Sequence, residues 1–422
     1  MNDSMDRVFA DWLREGPESG PHEGLERTLA ATRRIGQRPG WTIPERWLPM
    51  QLTMTRTPRL APLLAAATVA ILLVALVAAA LLVGSRPTLP EPFGIARNGT
   101  VAYEASGDIV VADAPGGPGV AVIEGPETDA YPVFALQGDR LAFIRGTPGK
   151  LMLMVARADG SDVRSIAGPF TSFDGLRWSP DGSAILWGSH EQGIFRLTVA
   201  RVDGSGSRTL DLGTPADWGS WRPDGSAILF RGQPGDGTQA SAAFLAAPDG
   251  SNVRRLPLPG SKTSVVDFEG LGWSPDGTRI SYMSDGDAAG MGWQMHVVDI
   301  DAAGNVVADH PLHLDPASTG EMLPVWSPDA SRIAFILERD GQRQIALAEP
   351  FDGATVTPIG PSTPASTSGF GYAWSPDGET MLITLIPTGE PQTFWSVDLA
   401  SGVTTPIEQP MVEIPTWQRL AP

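Results

Sequence analysis

His310 and His313 form an H-P-L-H pair, a spacing at which two imidazoles could share a cation. Zinc needs further ligands in fixed geometry. The 422 residues contain no cysteine, and only His22, His190 and His296 remain as other imidazole donors. Surface histidines are therefore the simpler reading. Just upstream, DIDAAGNVVADH (299–310) imitates the start of a calcium loop, with Asp299, Asp301 and Gly304 at loop positions 1, 3 and 6. Ala303 sits where an oxygen ligand belongs, and His310 replaces the closing bidentate Glu. A strand-to-strand turn accounts for the segment better. SDGDAAGMG (284–292) reads as a loop with weak cation contact at most. A serine hydrolase needs G-x-S-x-G between a strand and a helix, and the chain has none. GSK (260–262) lacks the rest of a phosphate-binding loop. The sequence thus predicts no catalytic, cofactor or metal residue, and a chain that is not an enzyme.

What does recur is architectural. Trp178, Trp221, Trp273, Trp326, Trp374 and Trp417 are separated by 43, 52, 53, 48 and 43 residues. After the first five comes a turn phrase: Pro180-Asp181-Gly182, Pro223-Asp224-Gly225, Pro275-Asp276-Gly277, Pro328-Asp329 and Pro376-Asp377-Gly378. Phe134 takes the Trp place 44 residues before Trp178, and residues 96–114 fit the later half of the frame. Ser-Pro-Asp-Gly suits a type I turn, because Ser bonds back to the backbone, Pro presets φ, Asp tolerates the third place and Gly takes the fourth. Alternating apolar residues follow each phrase, as in SAILW, and a second Asp-Gly turn comes later. Each unit reads as a four-stranded meander of about 43–53 residues. Units of this period, set radially, make an all-β propeller with each Trp as an inter-blade wedge. The chain ends with the first strand of a unit (IPTWQRLAP, 414–422), whereas the unit from Ala96 lacks one. Joining them closes the ring and gives seven blades, with six or eight as alternatives.

The WSPDG phrase with its apolar strand and later Asp-Gly turn resembles the repeat of TolB-like propellers. The same repeat occurs in the propeller domains of prolyl oligopeptidase-type peptidases. The likeness covers about residues 93–422 and implies fold, not function. Arg222 stands for the Ser, Ala330 for the Gly, and the first two units lack the Trp; looser turns are expected there.

Charge and hydropathy set the surroundings. Residues 60–422 carry 21 basic and 40 acidic residues. Such a surface repels phosphate backbones, so no nucleic-acid partner is expected. From Leu60 to Val83 no residue is charged, and a helix of that length spans roughly 36 Å against about 30 Å of hydrocarbon. The expected domains are a cytoplasmic helical segment (1–50), a transmembrane helix (60–84), a Pro-rich linker (85–95) and the propeller (96–422). Arg33, Arg34, Arg38, Arg46, Arg56 and Arg59 precede the span. They place the N-terminus in the cytoplasm and the propeller outside it, in the cell (inner) membrane as a single-pass protein. Residues 1–50 read as a docking module or as a segment on the inner leaflet, with Trp41 and Trp47 at headgroup level. They resemble the cytosolic heads of anti-sigma-like membrane proteins of GC-rich bacteria, without the His and Cys pattern of the zinc-containing ones. The resemblance implies a cytoplasmic regulatory partner such as a sigma factor. The functional expectation is a propeller that binds an envelope protein, peptide or glycan and relays that state inward. Variable loops 231–242, 284–294 and 361–371 are its expected contact surfaces. Alternatives are a propeller-based glycan-active enzyme and a non-signalling tethered scaffold.

Overall fold

The computed structural model describes residues 93–421, apart from 192, 234–240, 259–270, 285–293, 316, 366–368, 410 and 413–414. The expected cytoplasmic segment, the apolar run and most of the linker lie outside the described residues. Among the described residues no helix is long and apolar enough to cross a membrane.

Strand formation follows the period-2 pattern. In 184–187, Ile185 and Trp187 face the preceding unit while Ala184 and Leu186 face the next. Strands buried on both faces cannot exist alone, so units stack side by side. The described residues form seven antiparallel four-stranded sheets. The blades are numbered from the N-terminus. Blade 1 takes three strands from 97–123 and its innermost strand, Thr416–Leu420, from the other end of the chain. Blades 2 to 7 span 129–170, 174–209, 216–255, 272–312, 320–364 and 369–407. In blade 1, Val101 pairs with Trp417 and Arg97 with Leu420. That pairing joins the ends of the ring, and the blade count is seven.

The core is divided among the seven blade interfaces. One buried cluster lies between each neighbouring pair, including blades 7 and 1, where Val101, Tyr103 and Leu382 meet. Trp178, Trp221, Trp273 and Trp326 are buried within these clusters, and Trp374 and Trp417 pack against theirs. Three of the indole N–H groups stitch neighbouring inner strands together. Trp178 Nε1 donates to Val133 O (3.0 Å), Trp221 Nε1 to Arg177 O (3.2 Å) and Trp374 Nε1 to Val325 O (3.2 Å).

The repeated turn is closed by its aspartate. In blade 3, Gly182 N donates to Ser179 O (2.9 Å), and Gly182 takes φ 68°. Asp181 Oδ1 accepts from Ser179 Oγ (2.6 Å) and Ser183 N (3.0 Å), while Ser179 Oγ accepts from Ala184 N (2.9 Å). The same net surrounds Asp276, Asp329 and Asp377. The expectation of looser turns at the departures is corrected. Ala330 adopts the glycine conformation (φ 59°) and keeps the bond to Ser327 O (2.9 Å). Gly225 N still reaches Arg222 O (2.8 Å). Arg222 itself stacks over Trp273 of the next blade at 5.3 Å. Inter-blade packing thus stabilises the turn where a consensus residue is missing.

Candidate functional site: an axial cavity

The strand that carries the wedge residue, Trp in six blades and Phe134 in blade 2, lies innermost, and these strands leave a cavity of about 790 Å3 on the ring axis. Its walls come from the inner strands of blades 1, 2, 3 and 7, with Tyr103 and Glu104 from the second strand of blade 1 and Pro328 from blade 6. Its lining includes Tyr131 and Asp174 near the strand starts of blades 2 and 3 and Pro328 and Pro376 in the turns of blades 6 and 7. This volume suits a short stretch of extended chain, and aromatic and proline side chains dominate its lining.

The inner strands of four blades are bulged near their starts, and in blades 2 and 3 the bulge lies in the cavity wall. Register shifts occur between Ala130 and Val133, Asp174 and Leu176, Ala216 and Trp218, and Met322 and Val325. A bulge adds a residue and re-aims the strand. At two of them a non-glycine residue is held left-handed, Tyr131 at φ 57° and Leu323 at φ 60°. Such backbone costs of order 1 kcal/mol and is stored where the surroundings impose it. Tyr131 is 39% exposed and meets Phe173 edge-on at 4.6 Å, so two aromatic rings stand together in the cavity wall.

Charge is distributed by a second repeat. An acid stands four or five residues before the wedge position: Asp129, Asp174, Asp217 and Glu321 among the described residues, with Glu269 and Glu413 at the same spacing outside them. Asp129 is fully buried and held bidentately by Arg145 (2.7 and 2.8 Å). Asp217 is held by Arg231. Glu321 accepts from Leu314 N (3.1 Å) and Asp315 N (2.6 Å). Asp174 is different: it lines the cavity, and burial raises its carboxyl above the ordinary range. Glu104, also in the wall, is raised by burial too. The sequence signal for these residues was the acid spacing, masked by the stronger turn phrase.

The other singled-out residues sit elsewhere. His310 pairs with Asp299 (2.9 Å), and Asp301 accepts from Asn305 N (2.7 Å), which makes 299–305 a hydrogen-bonded turn. His313 N approaches Asp352 (3.4 Å). His296 accepts or donates to Ser284 Oγ (3.2 Å) through Nε2 and meets Asp309 (3.1 Å) through Nδ1. That connectivity is the one a serine nucleophile uses. Here Ser284 is fully buried and the imidazole is stacked on Tyr282 at 4.8 Å, so the net pins three adjacent strands of blade 5. Most of loops 231–242 and 284–294, part of 361–371, and 260–262 lie outside the described residues.

A scan of protein families finds no matching family. A stretch of 141 residues is 30% identical to the uncharacterized peptidase YuxL of Bacillus subtilis (strain 168), covering 32% of this chain and 19% of that protein. Among solved structures, the tricorn protease superposes with a TM-score of 0.55 at 11% identity, over 79% of this chain and 36% of that one. TolB from Acinetobacter baumannii gives a TM-score of 0.48 at 16% identity, over 75% and 81%. The tricorn likeness shows the fold. The YuxL match overturns the expectation that the chain is not an enzyme, because the sequence is related to part of a protein named as a peptidase. The sequence test looked for a nucleophile elbow. It took the repeat's likeness to peptidase propellers as a sign of fold alone.

Proposed function

We propose that this chain is a single-pass membrane protein whose extracytoplasmic propeller takes up a segment of polypeptide in its axial cavity. Residues 1–50 relay occupancy to a cytoplasmic regulator such as a sigma factor. The observation that carries the reading is the cavity itself, with Tyr131 held left-handed against Phe173 in its wall. A concave surface with aromatic side chains in its wall supports a binding site. Polypeptide is favoured over glycan because YuxL is named as a peptidase. The membrane placement rests on the uncharged run 60–83 and the arginines before it.

The test uses the full-length chain in detergent, immobilised and exposed to a peptide library. Retained peptides identified by mass spectrometry, lost when Tyr131 and Phe173 are both replaced by Ala, support the reading. Shortened products among them would show turnover rather than capture. Retention that is indifferent to both substitutions would sink the axial site. Separately, protease added to intact cells should digest the propeller and spare residues 1–50; the reverse pattern would refute the topology.

A further inference from the structure

In blade 3 the third strand outruns its outer neighbour. It covers Ile194–Arg201, whereas the fourth strand covers Ser207–Thr209. Their pairing starts at Thr198 with Thr209, and one further bond, Leu210 N to Leu197 O (2.8 Å), extends it. In blades 2, 5 and 6 the fourth strand reaches the start of the third, at Leu151, Met295 and Gln342. Antiparallel ladder bonds alternate along a strand. Because Leu197 bonds outward, Phe195 also turns its N–H and C=O outward, beyond the end of the fourth strand. No hydrogen bond reaches either group among the described residues. The inner side of the same hairpin is closed: Ser172 Oγ accepts from His190 N (2.8 Å) and donates to His190 O (3.0 Å). The outer side has no such cap, and neither proline nor bulge interrupts 194–197. Ile194 and Phe195 are 41% and 39% exposed. They line a groove of about 260 Å3 with Leu210, Leu212, Pro215 and Ala216, where the chain crosses to blade 4.

From this geometry we infer that the outer edge of 194–197 docks an extended segment of another polypeptide, which adds a strand to blade 3. An N–H and a C=O turned outward from one residue are the pair that a partner's main chain satisfies in an antiparallel ladder. Open apolar edges are ordinarily blunted by charge, proline or bulges because they recruit strands. An edge left open beside an apolar groove suits such recruitment: the main chain supplies the bonds, and the groove takes apolar side chains from alternate residues of the partner. The crossing chain at 210–216 borders the edge. A groove of that volume suits one extended segment better than the blade of a second copy. The edge shares no lining residue with the axial cavity and does not depend on the reading of it.

A fluorescein-labelled heptapeptide of alternating Thr and Val is titrated by anisotropy against the full-length chain in detergent, beside the same peptide N-methylated at every internal amide. The methylated form keeps every side chain but loses its main-chain donors, and should bind about tenfold more weakly. Phe195→Pro removes the outward N–H and should also weaken the parent peptide about tenfold. Its melting should match the wild type, because an N–H turned off the sheet holds no ladder bond. Should that variant fold poorly, hydrogen exchange of the wild type decides. Bound peptide should slow exchange within 193–198 and leave 129–134 and 174–178 unchanged. Equal binding of the two peptide forms, or no binding of either, overturns the edge. Protection at 129–134 and 174–178 in place of 193–198 overturns it too, and is the result that axial capture predicts. Protection of 193–198 that rises with protein concentration and ignores the peptide would assign the edge to a second copy and overturn the docking of a foreign segment.

Discussion

At the scale of single residues, the turn aspartate organises each repeat. Burial alone would raise the Asp181 carboxyl, yet hydrogen bonds from Ser179 and Ser183 hold it below the ordinary 3.8. Asp224, Asp276 and Asp329 are lowered in the same way. In the second turns, Asp159, Asp203 and Asp249 are lowered by hydrogen bonds from the serine two residues on. A carboxyl lowered in the fold contributes stability that is complete above its unfolded value and lost as pH falls through the folded one. Thermal stability is therefore expected to be flat down to about pH 4 and to collapse below it. Asp181→Asn should flatten part of that slope; an unchanged slope would show that the turn does not hold its proton affinity down. The arginine after the turn acts across the interface. Arg279 stacks on Trp326 at 4.7 Å and donates to Ala330 O (3.0 Å). Arg332 repeats this over Trp374 at 5.3 Å. Arg279→Ala should cost about 1–2 kcal/mol in denaturant unfolding; a loss near zero would mean that the stack is incidental.

At the scale of elements, closure depends on close backbone approach. Gly138 sits at φ 73°, and a Cβ there would collide with the Arg419 backbone carbonyl of the closing strand. Gln418 Nε2 bonds Gly138 O (2.7 Å) from the same strand. Gly138→Ala should destabilise by about 2–3 kcal/mol, from left-handed strain plus displacement of that strand. A milder effect, below about 0.5 kcal/mol, would show that the seam is slack. The blade itself was legible in the sequence, because turn chemistry and period-2 burial are local. The closing strand was legible too, since 414–422 is an unfinished unit. Other features were not. The bulge at Tyr131 leaves no local mark, because its left-handed φ is imposed by neighbouring strands. The partners of Asp129 and Asp217 lie 16 and 14 residues on, and nothing at the acids themselves distinguishes them from Asp174, which no arginine side chain holds by a hydrogen bond among the described residues. Arg222 looked like a defect because its compensating contact, Trp273, belongs to the next blade.

At the scale of the whole molecule, stability is shared among seven interfaces arranged in a ring, and each blade packs against a neighbour on both faces. Removing residues 414–422 takes away the inner strand of blade 1 and opens the interfaces on either side. The melting temperature should fall by about 10 °C or more, measured by circular dichroism; an unchanged melt would deny that the C-terminal strand closes the ring. The same closure creates the cavity, since blade 1 supplies Thr416, Trp417 and Arg419 to its wall. Architecture and the proposed function are therefore coupled: a chain that cannot close should not retain peptide. The most direct measurement places a photo-reactive benzoylphenylalanine at Tyr131, inside the cavity, or at Val120, exposed on the outermost strand of blade 1. After irradiation in living cells, mass spectrometry reads what each site has captured. Polypeptide cross-linked at 131 and absent at 120 is the predicted result; capture at 120 alone, or at neither site, would contradict an axial polypeptide site.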